Sequence, residues 1–479
     1  MLTNKFPNWD DINNIRGYAV GSEFGRWFLK NVHPLTSDWS VPWLTGLFVI
    51  VMVSAAACMV ISALDLKSLT SAVLIPLIMM AFPSMCSLFT FMFTADCYSV
   101  GILLACTAVW LIRKFRYGFI PGMILLILSM GIYQSYLCFA LGLLVCGLFF
   151  DMQEKMDAKS VFLKGVFTVA VLGISVFAYV KVSRMIFPPM SEYNGVGNMG
   201  QLELTRLPRL ILRAYRYVAE YFVLKPYSFV STASYVLNLL CCLAAAAGVI
   251  WFFVRKKMWN RPLNALLYLF LAAAVPLAMG SIIIMAPDAA VSMLMLYQYC
   301  ILHVFVVAML EKRGKEMKFG KVTGFGVTIL ILLVVYQNFV VTNEAYFRMG
   351  IGYERASAWY NRIMVRLEAT EGYRYGDAFV LVGEYGLTDT PSILGTFKMD
   401  ADRFNDLSGA AKEDGMLTSG VRHNFMKTYI GVEMPDVSEE TLGKIRESEE
   451  YKEMPSFPDD GCVKKIEGVW VVKTCEEIR

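Results

Sequence analysis

Residues 42–64 read PWLTGLFVIVMVSAAACMVISAL, a run that contains no charged side chain. An α-helix rises 1.5 Å per residue, so a run of this length can cross the hydrocarbon core of a bilayer, which is about 30 Å thick. The run therefore predicts a membrane-spanning helix. Similar charge-free runs recur along the chain as far as residue 343.

The composition of the whole chain supports the same fold class. Of its 479 residues, 57% are hydrophobic, and the mean hydropathy is +0.51. These values predict a polytopic α-helical membrane protein. The net charge of +4 is too small to indicate nucleic-acid binding. Most of the eleven cysteines fall inside apolar runs, and there are three histidines and no zinc-like spacing, so we expect no metal site and no cofactor.

The charge-free runs predict about 10 membrane spans. The run at 119–150 counts as two, because it is too long for one straight helix and starts and ends on the same side. We predict a hairpin of two short helices that meet near residues 131–135, and one long tilted helix is the alternative. The predicted spans are 42–64, 69–95, 97–112, 119–150, 166–180, 226–254, 262–287, 289–310 and 322–343.

Three basic loops set the predicted orientation. Residues 113–116, 255–261 and 312–321 carry clusters of lysine and arginine. Short loops rich in these residues remain in the cytoplasm. Because successive spans cross the membrane in opposite directions, the cytoplasmic position of these loops predicts which segments face outward. They are residues 1–41, Asp96, the loop 184–225 and the chain after residue 343.

The same alternation predicts two domains. Residues 1–343 form a multi-span transmembrane domain with an outer N-terminal loop at 1–41, and residues 344–479 form an extracytoplasmic α/β domain. No apolar segment precedes residue 42, so we expect the first segment either to follow a further helix or to be translocated unaided.

The C-terminal domain shows patterns of both helix and strand. Cys462 and Cys475 are expected either to form a disulfide or to remain free thiols. The pattern predicts helices at 345–368 and 418–429, a buried strand at 378–382, and a hairpin with strands at 462–466 and 469–473.

Carboxylates near the chain start are candidates for catalysis. They cost several kcal/mol in hydrocarbon, so they must lie in water or in a protein-lined cleft. Asp10 and Asp11 are followed by Arg16, Glu23 and Arg26. In an extended segment the two aspartates point to opposite sides, so we expect one of them to be the base, with Asp11 favoured. A solvated tail that caps a helix is the alternative.

Two further polar groups are predicted on the same outer face. Asp96 is placed at a turn between spans, where it either takes part in catalysis or caps the next helix. Arg206, Arg209, Arg213 and Arg216 recur at helical spacing, which predicts an interfacial amphipathic helix. Its guanidinium groups either hold a lipid phosphate bidentately or anchor the helix to headgroups.

Together these groups suggest a membrane-embedded transferase. An outward carboxylate would deprotonate an acceptor hydroxyl, while basic residues stabilise the departing lipid phosphate. A transporter or flippase is the second reading, and it is less favoured because the spans are nearly charge-free and show no internal repeat. A membrane-anchored structural protein is the third.

Short motifs in the chain also resemble a known family. Asp10-Asp11 and Gly25-Arg26-Trp27 are followed by TADCYS at 94–99 and GIYQSY at 131–136, with MPSFP at 454–458 and a closing Val472-Lys473. Together they resemble the bacterial and phage O-antigen glucosyl transferase family of the seroconversion type (GtrII-like). The resemblance covers nearly the whole chain.

This resemblance implies a GT-C-like multi-span fold in a bacterial plasma membrane. It implies a polyprenyl-phosphate-glucose donor and an acceptor sugar on a lipid-linked or surface glycan, with a donor synthase and a flippase as further partners. Asp10 or Asp11 would be the essential acid of the first outer loop, and Asp96 a second acidic group near the acceptor. A glycan polymerase or ligase with a diphosphate-linked donor is the nearest alternative.

The residues expected to bind substrate come from three segments. Tyr133 and Gln134 would meet the sugar as hydroxyl and amide partners, or else only satisfy helix backbone in a packed interior. Arg209 and Arg213 are expected to help hold the donor, together with Arg26.

Overall fold

The fold comes from a computed structural model of the chain. It describes residues 6–15, 24–36, 39–186, 205–224, 227, 229–313, 316, 320–383, 404, 406–407, 409 and 414–474. Arg16, Glu23 and Cys475, named above, lie outside these residues.

Contacts divide the chain into two units. The first comprises residues 1–5, 16–343 and 406–408, and the second comprises residues 6–15, 344–405 and 409–479. One boundary between the units falls after residue 343. Residues 6–15, which carry Asp10 and Asp11, group with the second unit.

Helices make up most of the first unit. Helix α1, Trp9–Asn13, comes first in the chain and belongs to the second unit. The following helices are α2 (Leu29–Val32), α3 (Pro42–Ala63), α4 (Leu69–Ala81), α5 (Pro83–Thr90), α6 (Met92–Lys114), α7 (Phe119–Ile132), α8 (Tyr136–Lys155), α9 (Ala158–Ile186), α10 (Leu207–Ala219), α11 (Thr232–Arg255), α12 (Pro262–Met279), α13 (Ile282–Met285), α14 (Ile301–Arg313) and α15 (Gly320–Glu368).

Many of these helices are suited to a bilayer. Eight helical segments among the described residues are long and apolar enough to cross a membrane, and the bent pair α4–α5 adds a ninth. Helix α7 is apolar but has only 14 residues. The long apolar helices support a membrane-embedded protein and agree with the helical fold class.

The predicted span 69–95 is broken. Helices α4 and α5 meet at an angle of 48°, and Phe82 between them is extended, with φ −60° and ψ 140°. Pro83 explains the break, because proline has no N–H and disfavours helical geometry in the residue before it. A further break at Phe91 starts α6, so Asp96 lies inside a helix and not at the predicted turn.

The predicted hairpin at 119–150 is confirmed. Helix α7 runs back along α6, where the Ser129 hydroxyl donates to the Gly101 carbonyl at 2.7 Å. The chain then turns through an extended Tyr133 and returns along α8. At the far end of α8, Arg113 Nη2 lies 3.1 Å from Asp151 Oδ1. A single tilted helix is therefore excluded.

The three basic loops meet at one end of the bundle. Asp151 and Glu154 lie about one turn apart at the end of α8, and each forms an ion pair with a residue of a different basic loop. Glu316, in the third loop, binds a lysine that follows α11. The ion pairs are Arg113–Asp151 at 3.1 Å, Lys312–Glu154 at 2.7 Å and Lys256–Glu316 at 3.2 Å. Asp96 lies at the opposite end of α6 from Arg113.

The second unit contains a small three-stranded sheet. Strand β1 (Phe379–Val382) pairs in parallel with β3 (Val469–Lys473), which pairs antiparallel with β2 (Val463–Ile466). The predicted strand and hairpin are both confirmed. Glu467 and Gly468 form the turn with positive φ, as a two-residue hairpin requires.

Helices pack on both faces of this sheet. One face buries Phe379 and Val472 with Tyr360, and the other buries Val380 and Val471. The predicted helix 345–368 is the end of α15, which continues from the preceding span without a break. The other described helices are Asp414–Leu417, Ser419–Phe425, Glu439–Glu447 and Glu449–Lys452, with a π-helical turn at Met426–Ile430.

Candidate functional site

A short segment at residues 24–28 is fastened to the hairpin in the first unit. The Phe28 N–H donates to the Gly131 carbonyl at 2.8 Å, and Trp27 Nε1 donates to Ser183 Oγ at 3.1 Å. Gly131 makes this approach possible, because a Cβ there would lie 3.0 Å from Phe28 Cβ and from the Trp27 ring. The absent side chain lets backbone meet backbone.

Gln134 holds the same segment from the break between α7 and α8. Its Nε2 donates to the Phe24 carbonyl at 2.6 Å and to the Tyr179 hydroxyl at 2.9 Å. The Tyr179 hydroxyl in turn donates to the Gly25 carbonyl at 3.1 Å. Gln134 therefore positions the segment, and both amide protons are used within the protein.

Arg26 projects from this segment onto tyrosine rings. Its Nη1 donates to the Tyr98 hydroxyl at 3.2 Å, and its guanidinium carbon lies 4.9 Å from the centre of the Tyr133 ring. Tyr98 and Tyr133 stack at 4.8 Å, and Tyr136 meets Tyr133 edge-on at 5.4 Å. We call Arg26, Tyr98, Tyr133 and Tyr136 the arginine–tyrosine cluster.

The cluster brings together residues that are far apart in the sequence. Arg26 and Tyr133 were predicted to bind substrate, and they are now in contact. Tyr98 and Tyr136 were missed as site residues, although both stand in the quoted motifs. The sequence signal for both is a tyrosine close to polar residues, Tyr98 in TADCYS and Tyr136 in GIYQSY.

Asp96 lies two residues before Tyr98 on α6 and is 2% exposed. One carboxylate oxygen, Oδ2, accepts a hydrogen bond from Thr36 Oγ1 at 2.6 Å, and Oδ1 accepts one from the Cys97 N–H at 2.7 Å. His33 Nδ1 is 3.9 Å from Oδ2. Asp96 is thus not an N-cap, since α6 begins at Met92.

Asp10 and Asp11 lie in the second unit, on α1. Asn8 caps this helix, with its side chain accepting from the Asp11 N–H at 2.9 Å. The predicted extended segment is therefore wrong, because a capped helical turn forms instead. Asp11 is 1% exposed, whereas Asp10 is half-buried. Ile12 anchors the helix in the core of the second unit.

The part of the chain that holds this geometry matches a known protein family. A family model described as Glucosyl transferase GtrII matches residues 1–309. The chain belongs to this family. It is therefore an enzyme, a glycosyltransferase, and the match includes the whole arginine–tyrosine cluster. No curated protein and no solved structure gives a significant match.

The amphipathic helix expected in this glucosyl transferase is present as α10. Its inner face buries Leu210, Ala214 and Val218, and Arg209 is exposed. Arg213 donates to the Pro287 carbonyl at 2.8 Å. Among the described residues, no hydrogen bond or ion pair joins α10 to Arg26, so the structure does not bring the three predicted arginines together.

The second unit of the glucosyl transferase carries an open cleft of about 510 Å³. Two groups on its wall have pKa values below their ordinary range. The Trp470 indole N–H and the Arg374 N–H donate to Asp377 and lower the pKa of that carboxyl. The Lys427 ammonium lowers the pKa of Glu433. Residues of the wall include Tyr373, Tyr375, Asp377, His423, Glu433 and Asp436.

Proposed function

We propose that this glucosyl transferase moves glucose from a polyprenyl-phosphate donor to a surface or lipid-linked glycan. The observation that carries the proposal is the arginine–tyrosine cluster. The buried tyrosine rings hold one guanidinium in a fixed position, where its N–H groups would donate to a phosphate oxygen of the sugar donor.

The proposed reaction takes place on the extracytoplasmic face of a bacterial plasma membrane. The three basic loops share one end of the bundle, and such loops favour the cytoplasm. Asp96 and Tyr98 stand near the start of α6, and Arg113 near its end. The cluster would then face outward, as would the second unit under the predicted alternation of spans.

The reaction forms one bond and breaks another. The acceptor hydroxyl oxygen attacks C1 of the glucose, and the bond from C1 to the phosphate oxygen breaks. The hydroxyl proton passes to a carboxylate, and the polyprenyl phosphate departs with an added negative charge. The Arg26 guanidinium, which also donates to the Tyr98 hydroxyl, would stabilise that charge.

The base is proposed to be Asp10 or Asp11. Burial favours Asp10, because a base must come within hydrogen-bond reach of the proton that it removes, and Asp11 is almost fully covered. Asp11 would then support α1 from within the second unit. Asp96, held by two hydrogen bonds, would serve as the second acidic group near the acceptor.

Helix α10 is proposed to hold the lipid part of the donor at the membrane surface. Its exposed Arg209 and half-buried Arg213 can bind phosphate groups at the interface. Gln134 is proposed to act indirectly, since both of its amide protons already fix residues 24–28 and Tyr179. A donor synthase and a flippase would supply the donor on the outer face.

The test is transfer of labelled glucose from purified undecaprenyl-phosphate-glucose into bacterial membranes that contain the protein. We expect transfer that depends on the protein and is lost in Arg26→Ala. A parallel reaction with an undecaprenyl-diphosphate-linked sugar tests the polymerase or ligase reading. Activity with the diphosphate donor alone would overturn the proposed donor.

A further inference from the structure

We infer that His33, Asp96 and Cys97 form a binding site for a divalent cation of the zinc class. Each residue offers one ligand atom, and these atoms all lie within 4.8 Å of one another. All three residues are buried. The site joins residues separated by more than 60 positions in the chain, which is why no zinc-like spacing was visible.

The distances suit one ion. Zinc binds nitrogen and oxygen at about 2.0–2.2 Å, so two such ligands at a tetrahedral angle are roughly 3.4 Å apart. His33 Nδ1 and Asp96 Oδ2 are 3.9 Å apart, so a shift of about 0.5 Å brings these two atoms to that separation. Three protein ligands leave one tetrahedral position open for water or a substrate oxygen.

The donor set also suits zinc chemically. A nitrogen, a carboxylate oxygen and a sulfur together favour zinc over magnesium or calcium, which prefer oxygen alone. Zn²⁺ with one carboxylate and one thiolate gives a site of zero net charge. That neutrality lowers the cost of a buried carboxylate in a membrane-embedded unit.

Neighbouring groups already orient the ligands. Thr36 and the Cys97 N–H each donate to a different oxygen of Asp96, at 2.6 and 2.7 Å. The Cys97 thiol donates to the Leu29 carbonyl at 3.6 Å, a hydrogen bond that the thiolate gives up when it binds an ion. An oxygen of a carboxylate can accept from Thr36 and still bind an ion through its second lone pair. Such second contacts fix ligand geometry in metal sites.

The inference is independent of the proposed function, because cation binding is measured without turnover. With an ion in place Asp96 acts as a ligand and not as a base, which agrees with assigning the base to Asp10. Binding also requires the Cys97 thiol to lose its proton to solvent.

The experiment uses the full chain purified in detergent through a tag without histidine. After chelator treatment it is titrated with Zn²⁺, and separately with Co²⁺ while the near-ultraviolet thiolate-to-cobalt absorption is recorded. We expect one Zn²⁺ per chain and a thiolate–cobalt band. His33→Ala and Cys97→Ser should each weaken Zn²⁺ binding at least tenfold, and Cys97→Ser should abolish the band.

Cys106→Ser is the matched control, because Cys106 is also buried on α6. It should keep both the stoichiometry and the band. Size-exclusion profiles identify variants that do not fold, and the wild-type cobalt spectrum tests the site without any substitution. Absence of Zn²⁺ binding in the folded wild type, or binding that Cys97→Ser leaves unchanged, would overturn the inference.

Discussion

The arginine–tyrosine cluster in the first unit and the cleft in the second unit both gather polar side chains, but they do so in opposite ways. In the cluster, Tyr133 is 4% exposed, and the neighbouring Gln134 is 5% exposed with both amide protons bonded. In the cleft, Tyr375 is 87% exposed. The first region is a packed network, and the second is an open surface.

The difference follows from the surroundings of each unit. Polar groups in a membrane-embedded unit need partners within the protein, because hydrocarbon offers none. Such a network fixes side chains in one arrangement, as the positioning of catalytic groups requires. Groups on an open cleft can be satisfied by water and remain free to meet different ligands. Substitutions should therefore change turnover in the cluster and affinity in the cleft.

The strongest test of this contrast is Arg26. Replacing it by alanine removes the guanidinium next to the proposed phosphate, and we expect glucose transfer to fall about 10²–10³-fold. Arg26→Lys keeps the charge but loses the planar fork, so it should recover only part of the rate. Arg209→Ala, on the exposed face of α10, is the matched control and should cost less than tenfold. Equal losses at both arginines would break the comparison.

The second test separates the two aspartates of α1. Asp10→Asn removes proton acceptance from the reachable carboxylate, so transfer should fall about a hundredfold or more with unchanged protein level. Asp11→Asn replaces a buried carboxylate and should lower the thermal unfolding midpoint, at a cost of about 1–3 kcal/mol, with smaller effect on turnover. The opposite pattern, with turnover lost only at Asp11, would return the base to Asp11.

A third test acts on packing alone. Gly131→Ala places a methyl group against Trp27 and Phe28, which displaces the segment that carries Arg26. We expect kcat to fall about tenfold, because small shifts of positioned groups are costly. Gly173→Ala is the control, since a Cβ there meets nothing within 4 Å. A normal rate in Gly131→Ala would show that the cluster tolerates movement.

Much of the fold could be predicted from the sequence, because apolar runs and turn residues determine structure over short stretches of the chain. The apolar runs, the hairpin at 119–150 and the β-hairpin near Gly468 were read directly from spacing and turn residues. The break at Pro83 was also readable, but the apolar run around it concealed the change of direction. The continuity of α15 is not evident from the sequence, because its pattern changes from apolar to amphipathic and therefore predicts a boundary.

The candidate site was less predictable, since it depends on which segments meet. The sequence indicated Arg26, Tyr133 and Gln134 separately, without showing that Gln134 holds the segment of Arg26. The group of His33 with Asp96 and Cys97 depends on a short helix that packs across α6. No spacing rule covers such contacts between distant segments.

We expect substitutions in the cleft to change glucose transfer less than substitutions in the arginine–tyrosine cluster. If Tyr375 stacks against an acceptor sugar, Tyr375→Ala should raise KM for the acceptor roughly three- to tenfold, the range of a single aromatic contact, and leave kcat unchanged. Tyr117→Ala removes another exposed tyrosine, 64% exposed at the basic end of the bundle, and should change neither. A fall in kcat for Tyr375→Ala would mean that the two regions are not functionally distinct.

The smallest effect concerns stability near the cleft. Because the hydrogen bonds from Trp470 and Arg374 lower the pKa of Asp377, its carboxylate stabilises the folded state above the ordinary aspartate pKa of about 4. That contribution is lost as pH falls from about 5 through the lower folded value. Asp377→Asn should therefore lower the thermal unfolding midpoint slightly at pH 7, and the difference from wild type should shrink at pH 3. A difference that stays constant between these pH values would show that the carboxylate charge contributes nothing there, and that this wall of the cleft is held by packing alone.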